Sequence, residues 1–121
     1  MFSHIMLGAN DVQASKQFYD AILGALGHAP GTVDDKGRCA YRTKTGVLIL
    51  TKPLNQQPAT GANGGTIGFA AESDEAVNAW HKAGVENGGT SCEDPPGKRA
   101  NGLYLAYLRD PAGNKLCAVH R

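Results

Sequence analysis

Three cysteines in 121 residues are too few, and too far apart, to frame a fold. Cys39, Cys92 and Cys117 form no C-x-x-C pair and leave one sulfur over in any pairing. A disulfide framework and a structural zinc knuckle are therefore not expected. Three reduced thiols suit a cytoplasmic protein. Net charge is equally scarce. Twelve Lys and Arg against eleven Asp and Glu leave +1, so no strong field favours nucleic acid or an anionic membrane. No apolar run reaches the length of a membrane span, and the opening Met1-Phe2-Ser3-His4 lacks the pattern of a secretory signal. G-x-G-x-x-G, G-x-x-x-x-G-K-[ST] and G-x-S-x-G are all missing, which leaves nucleotide-binding and serine-hydrolase readings without support. His28, His81 and His120 are scattered, with no H-x-H or H-E-x-x-H pattern.

What is present is glycine, 16 residues of it, gathered at turns between short strand-like runs. Residues 2–8 read as a strand. Asn10 or Asp11 can cap the helix that follows, with Val12, Phe18, Ile22, Leu23 and Leu26 on its apolar stripe and Gly27 as its stop. Strand candidates lie near 28–33, 38–44 and 46–52. Pro53, Pro58 and several glycines then break all periodicity, so residues 53–64 read as a linker. The plan repeats with a strand over 65–71, a helix capped by Ser73 running to about Ala83, and strands near 89–92, 103–109 and 115–120. A polar loop spans Glu93 to Asn101, and Asp110-Pro111-Ala112-Gly113-Asn114 forms a hairpin turn.

The halves align with one another. An offset of 62 positions carries Ile5 to Ile67, Leu7 to Phe69, Ala9 to Ala71 and Phe18 to Trp80. Near the end of each half, Ala40-Tyr41 is matched with Ala106-Tyr107, and Ile49 with Cys117. The reading is one α+β domain over 1–121, with modules of about 1–52 and 65–121.

Three segments give the chain a family likeness. They are Ser3-His4-Ile5-Met6-Leu7 before a capped helix with Phe18-Tyr19, Gly65-Thr66-Ile67-Gly68-Phe69, and Tyr107 to Leu116 with its D-P-x-G-N turn. In these the chain resembles the vicinal oxygen chelate superfamily, which holds glyoxalase I, ring-cleaving dioxygenases and bleomycin-resistance proteins. The resemblance implies two βαβββ modules forming curved mixed sheets around a cleft. It also implies a homodimer, often with modules paired across subunits, and a small organic ligand.

The metal enzymes of that family place ligands on the first and last strand of each module. Those positions here are His4, Ile49, Thr66 and Cys117. Only His4 is a typical ligand, and the family's carboxylate is missing, so no metal or other cofactor is expected. A divalent ion would have to recruit ligands from elsewhere. The expected function is metal-independent binding of a small molecule. The alternative is a lyase, isomerase or dioxygenase related to glyoxalase I, acting through His4 with recruited ligands or through Cys117. A third reading has the cleft filled by its own side chains.

His4 is a candidate base or hydrogen-bond donor, against the reading of a histidine satisfied by a polar neighbour. Cys117 is a candidate nucleophile if a nearby His4 lowers its pKa, against a small buried hydrophobe. Ile49 and Thr66 are ligand-contact candidates by position. Tyr41, Tyr104 and Tyr107 are candidates for stacking on a flat ligand, against plain sheet packing. Arg38 is the candidate partner for a ligand carboxylate or phosphate, as against solvated surface. Phe18 and Trp80 are assigned to the core.

Overall fold

The computed structural model describes residues 1–121. The first half contains β1 (His4–Gly8), α1 (Val12–Ala25), β2 (Thr32–Val33), β3 (Cys39–Arg42) and β4 (Val47–Thr51). The second contains β5 (Ile67–Ala70), α2 (Asp74–Glu86), β6 (Thr90–Ser91), β7 (Gly97–Lys98), β8 (Tyr104–Arg109) and β9 (Lys115–His120). The first sheet has the order β1-β4-β3-β2. The second has the order β5-β9-β8-β6, with β7 also on β8. This is the expected α+β architecture of two mixed sheets.

Local chemistry explains the helix ends. Asp11, not Asn10, caps α1, its carboxylate accepting from the Ala14 N–H at 3.0 Å. Gly27 then takes φ +89°, and the His28 N–H reaches back to the Leu23 carbonyl, closing the helix in a Schellman turn. Ser73 caps α2 in the same way, with Asp74 and Glu75 in the first turn. The second helix runs past Ala83 to Glu86, because Gly84 belongs to its interior. A Cβ on Gly84 would run into Leu108 and come within 3.1 Å of Ile22 and 3.2 Å of Phe18. The missing side chain lets α1, α2 and β8 approach closely.

Register settles the internal repeat. In the first sheet β1 runs parallel to β4, with Ile5 opposite Leu48 and Met6 opposite Ile49. In the second, β5 runs parallel to β9, with Ile67 opposite Leu116 and Gly68 opposite Cys117. The two ladders superpose once the first strands are shifted as Ile5 to Ile67 and the last strands as Ile49 to Cys117. The third strands correct the sequence alignment by one residue. Ala40 faces Ile49, whereas Tyr107 faces Cys117, so Tyr107 is the counterpart of Ala40 and Leu108 that of Tyr41. The four-residue turn after β3 and the five-residue turn after β8 account for the slip. One residue of slip exchanges the faces of a strand.

Each sheet buries one face. Leu48, Leu50, Leu108 and Leu116 join Phe18, Ile22, Val77 and Trp80 in one continuous core drawn from both halves. Two further differences from expectation lie at the sheet margins. The first predicted β-hairpin strand shrinks to two residues, and the polar loop after Glu93 contains the short strand β7. The Arg99 guanidinium causes the second difference. It donates to the carbonyls of Asp94, Pro95 and Gly97 and folds the loop back onto β8.

The D-P-x-G-N turn ties the halves together. The Asp110 carboxylate, 5% exposed, accepts from the Tyr19 hydroxyl at 2.7 Å and from Asn114 Nδ2 at 2.8 Å. It also accepts from the backbone N–H groups of Ala112 and Asn114. Asn114 Nδ2 donates in turn to the Gly8 carbonyl. Tyr19 belongs to α1 and Gly8 to β1, so one carboxylate joins a hairpin of the second half to two elements of the first. Asp110→Ala is expected to cost about 3–5 kcal/mol of unfolding free energy, and Tyr19→Phe about 1.5–3 kcal/mol. Urea denaturation followed by circular dichroism reads both, and wild-type midpoints in both variants would refute the role given to this carboxylate.

Candidate functional site

Strand alternation divides the candidate residues between two kinds of surface. Ile5 and Leu7 pack on the core, so His4 and Met6 project from the opposite, open face of the first sheet, beside Val47 and Ile49. On the second sheet, Ile67, Phe69, Leu116 and Ala118 face the core. Thr66, Gly68, Lys115 and Cys117 therefore share its open face with Tyr107.

Tyr41 and Tyr104 do not join this face. Tyr41 is buried among core residues, and its hydroxyl donates to Asp20 at 2.8 Å. Tyr104 packs against the core and donates to Asn78 of α2 at 2.9 Å. Both turn toward the helices, as parity along β3 and β8 requires. Burial raises the Tyr41 hydroxyl far above the ordinary phenol range, with the hydrogen bond to Asp20 adding to it. Arg38 is held by its own neighbour. Its Nε donates to Asp34 at 2.9 Å, on an exposed loop.

The open face of the second sheet carries a polar group that sequence reasoning passed over. Lys115 Nζ lies 2.6 Å from Glu93 Oε1 and 5.1 Å from the centroid of the Tyr107 ring. Glu93 adopts φ +55°, an uncommon backbone state for a side-chain-bearing residue. Lys115 could have been found, since it shares a face with Cys117 at period two. Nothing in the sequence marked Glu93, which reaches the site through loop geometry alone.

Cys117 is 8% exposed, and its thiol donates to the Ala118 carbonyl at 3.5 Å. Burial pushes its pKa up, partly opposed by the neighbouring Tyr107 hydroxyl. The other charges acting on the thiol are Glu93, Lys115 and Arg99, and His4 is not among them. His4 is exposed, with Nδ1 2.9 Å from the Ser3 hydroxyl. A cavity of about 540 Å³ borders His4 and Tyr41, but it is not bordered by Arg38, Ile49, Thr66, Tyr104, Tyr107 or Cys117. Within one chain the candidate residues are thus not gathered in a single pocket.

Residues 1–118 match the model of the Glyoxalase/Bleomycin resistance protein/Dioxygenase superfamily. The chain belongs to this superfamily. A glyoxalase/bleomycin resistance protein from Albidiferax ferrireducens is 58% identical over 100% of this chain and 98% of its own, with a TM-score of 0.95. The superfamily fold extends to more distant structures. A glyoxalase-related enzyme from Fulvimarina pelagi shares 20% identity at TM-score 0.81, over 100% of this chain and 88% of that one. A lactoylglutathione lyase from Agrobacterium tumefaciens shares 22% at TM-score 0.69, over 98% of this chain and 92% of that one. No curated protein matches in sequence.

The metal that the superfamily implies does not fit the donors present. His4 offers an imidazole, Ile49 nothing, Thr66 a hydroxyl, and Cys117 a thiol whose burial opposes the thiolate that coordination needs. No three His, Cys, Asp or Glu side chains of the chain form a group able to hold an ion.

The raised pKa of Cys117 has a measurable sign. Alkylation by iodoacetamide, located by peptide mass spectrometry, is expected to be slow at pH 7. Its rate should still be rising as pH passes the ordinary thiol value of 9.0, where an unperturbed thiol begins to level off. Rapid labelling of Cys117 at pH 7 would reveal a thiolate and contradict this environment.

Proposed function

We propose that this superfamily member binds a small organic molecule without a metal ion, in a cleft that two copies of the chain form from their open sheet faces. The observation carrying this reading is the side-chain set at the four superfamily ligand positions. Two of them, Ile49 and Thr66, supply no useful donor, while both sheets that carry these positions are intact. The chemistry of lyases, isomerases and dioxygenases related to glyoxalase I needs an electrophile that these positions are not equipped to hold.

A second copy is supported by what the open face leaves uncovered. Met6 is 46% exposed beside half-buried Val47 and Ile49. Tyr107 adds an aromatic surface, and the Lys115–Glu93 pair adds charges of both signs. In this reading His4 supplies a hydrogen bond to ligand oxygen, and Cys117 serves as a small neutral wall residue. Three unpaired thiols agree with a reducing, cytoplasmic setting. No helix is long and apolar enough to cross a membrane.

Native mass spectrometry of protein purified without chelator tests both parts at once. The expected spectrum shows a dimer with no metal adduct, unchanged in His4→Ala. Stoichiometric zinc, nickel, manganese or iron that disappears in His4→Ala would overturn metal independence. A monomer at micromolar concentration would overturn the shared cleft.

A further inference from the structure

The seam between the halves is closed at one end and open at the other. At the closed end the linker packs over the end of β1. Asn10 exchanges two hydrogen bonds with the Ala59 backbone, at 2.7 and 3.2 Å. A Cβ on Gly61 would collide with the Gly113 carbonyl, and one on Gly8 would meet the Ala59 methyl at 2.9 Å. The internal repeat carries Gly8 to Ala70 and Asn10 to Glu72, and it carries the turn after β8 to the turn after β3. These counterparts border the other end, at Ala70, Glu72, Thr43 and Gly46. No segment of residues 1–121 plays the part of the linker there, and the cavity of about 540 Å³ remains.

Its walls are mainly apolar. Leu23 and Leu26 come from the end of α1, Leu48 from β4, and Ile67 and Phe69 from β5. His28, Tyr41, Thr43 and Thr45 add polar groups to its border, and Glu72 is its one carboxylate. A volume in the range of small-molecule sites, an apolar lining and a few polar groups are what a binding pocket requires.

We propose that this cavity is a second binding site, for an uncharged, mainly apolar small molecule whose single oxygen acceptor is held by His28. An anion is disfavoured by the bordering Glu72, and a strongly polar molecule would leave its groups unpaired against the leucines. The site lies within one chain, its donor is His28, and of the four superfamily positions only His4 touches its border. It therefore stands independently of the shared cleft, and the metal content that tests the cleft leaves this proposal untouched.

The chain carries its own reporter. Trp80 is the single tryptophan, and its ring centroid lies 6.4 Å from that of Phe69, a wall residue. Titration with the neutral fluorophore N-phenyl-1-naphthylamine should quench Trp80 emission as probe emission rises, saturating at one probe per chain. Leu26→Phe and Ala71→Leu narrow the cavity from opposite walls, and each should weaken probe affinity by about tenfold. Near-ultraviolet circular dichroism checks that both variants fold. Val85→Ser removes an exposed apolar side chain of α2 that does not border the cavity, and it should leave the affinity unchanged. Absence of saturable binding in the wild-type protein overturns the proposal. So does indifference to both narrowing variants, or an equal loss in Val85→Ser.

Discussion

The fold hangs on the Asp110 carboxylate. A buried charge is costly unless its lone pairs are filled, and this one has four donors arranged around it. Two are backbone N–H groups of its own turn, so the turn is shaped around the carboxylate. The other two are the side chains of Tyr19 and Asn114, which extend the contact to α1 and β1. Tyr19 responds in kind. Burial, with the carboxylate beside it, pushes its phenol well above the ordinary value, so it remains a donor throughout the physiological range. The turn that most clearly marks the superfamily in the sequence is thus the clasp that holds the two halves in one core.

Most of the architecture was legible for the same reason that it is stable. Capping residues, a D-P-x-G-N turn and apolar alternation are local devices, and each predicts an element without knowledge of the rest. Legibility ended where one residue of register decided the outcome. Matching Ala40-Tyr41 to Ala106-Tyr107 is natural by identity, yet the hydrogen-bond ladders pair Ala40 with Ile49 and Tyr107 with Cys117. Three tyrosines that looked alike in sequence therefore divide. Tyr107 faces outward, whereas Tyr41 and Tyr104 satisfy their hydroxyls on the helices. Parity along β8 already separates Tyr104 from Tyr107, whereas the mismatch of Tyr41 with Tyr107 comes from turn length, which no side-chain pattern announces.

The candidate site shows the same boundary between local and long-range information. Period two along β9 is enough to place Lys115 and Cys117 together. The arrival of Glu93 depends on a loop turned back by Arg99, through bonds to three carbonyls that no short motif encodes. Nor could the sequence show that Cys117 lies outside the influence of His4. Burial of the thiol, and the change to Ile49 and Thr66 at two of the four superfamily positions, leave this chain without a metal-binding donor set.

If side chains alone account for that change, restoring donors should restore the ion. The decisive variant combines Ile49→Glu, Thr66→His and Cys117→Glu, leaving His4 in place, and its affinity for nickel or zinc can be compared with wild type by isothermal titration calorimetry. The account predicts stoichiometric binding by the variant, lost again on His4→Ala, with no saturable binding by the wild-type chain. Wild-type affinity equal to that of the variant would contradict it.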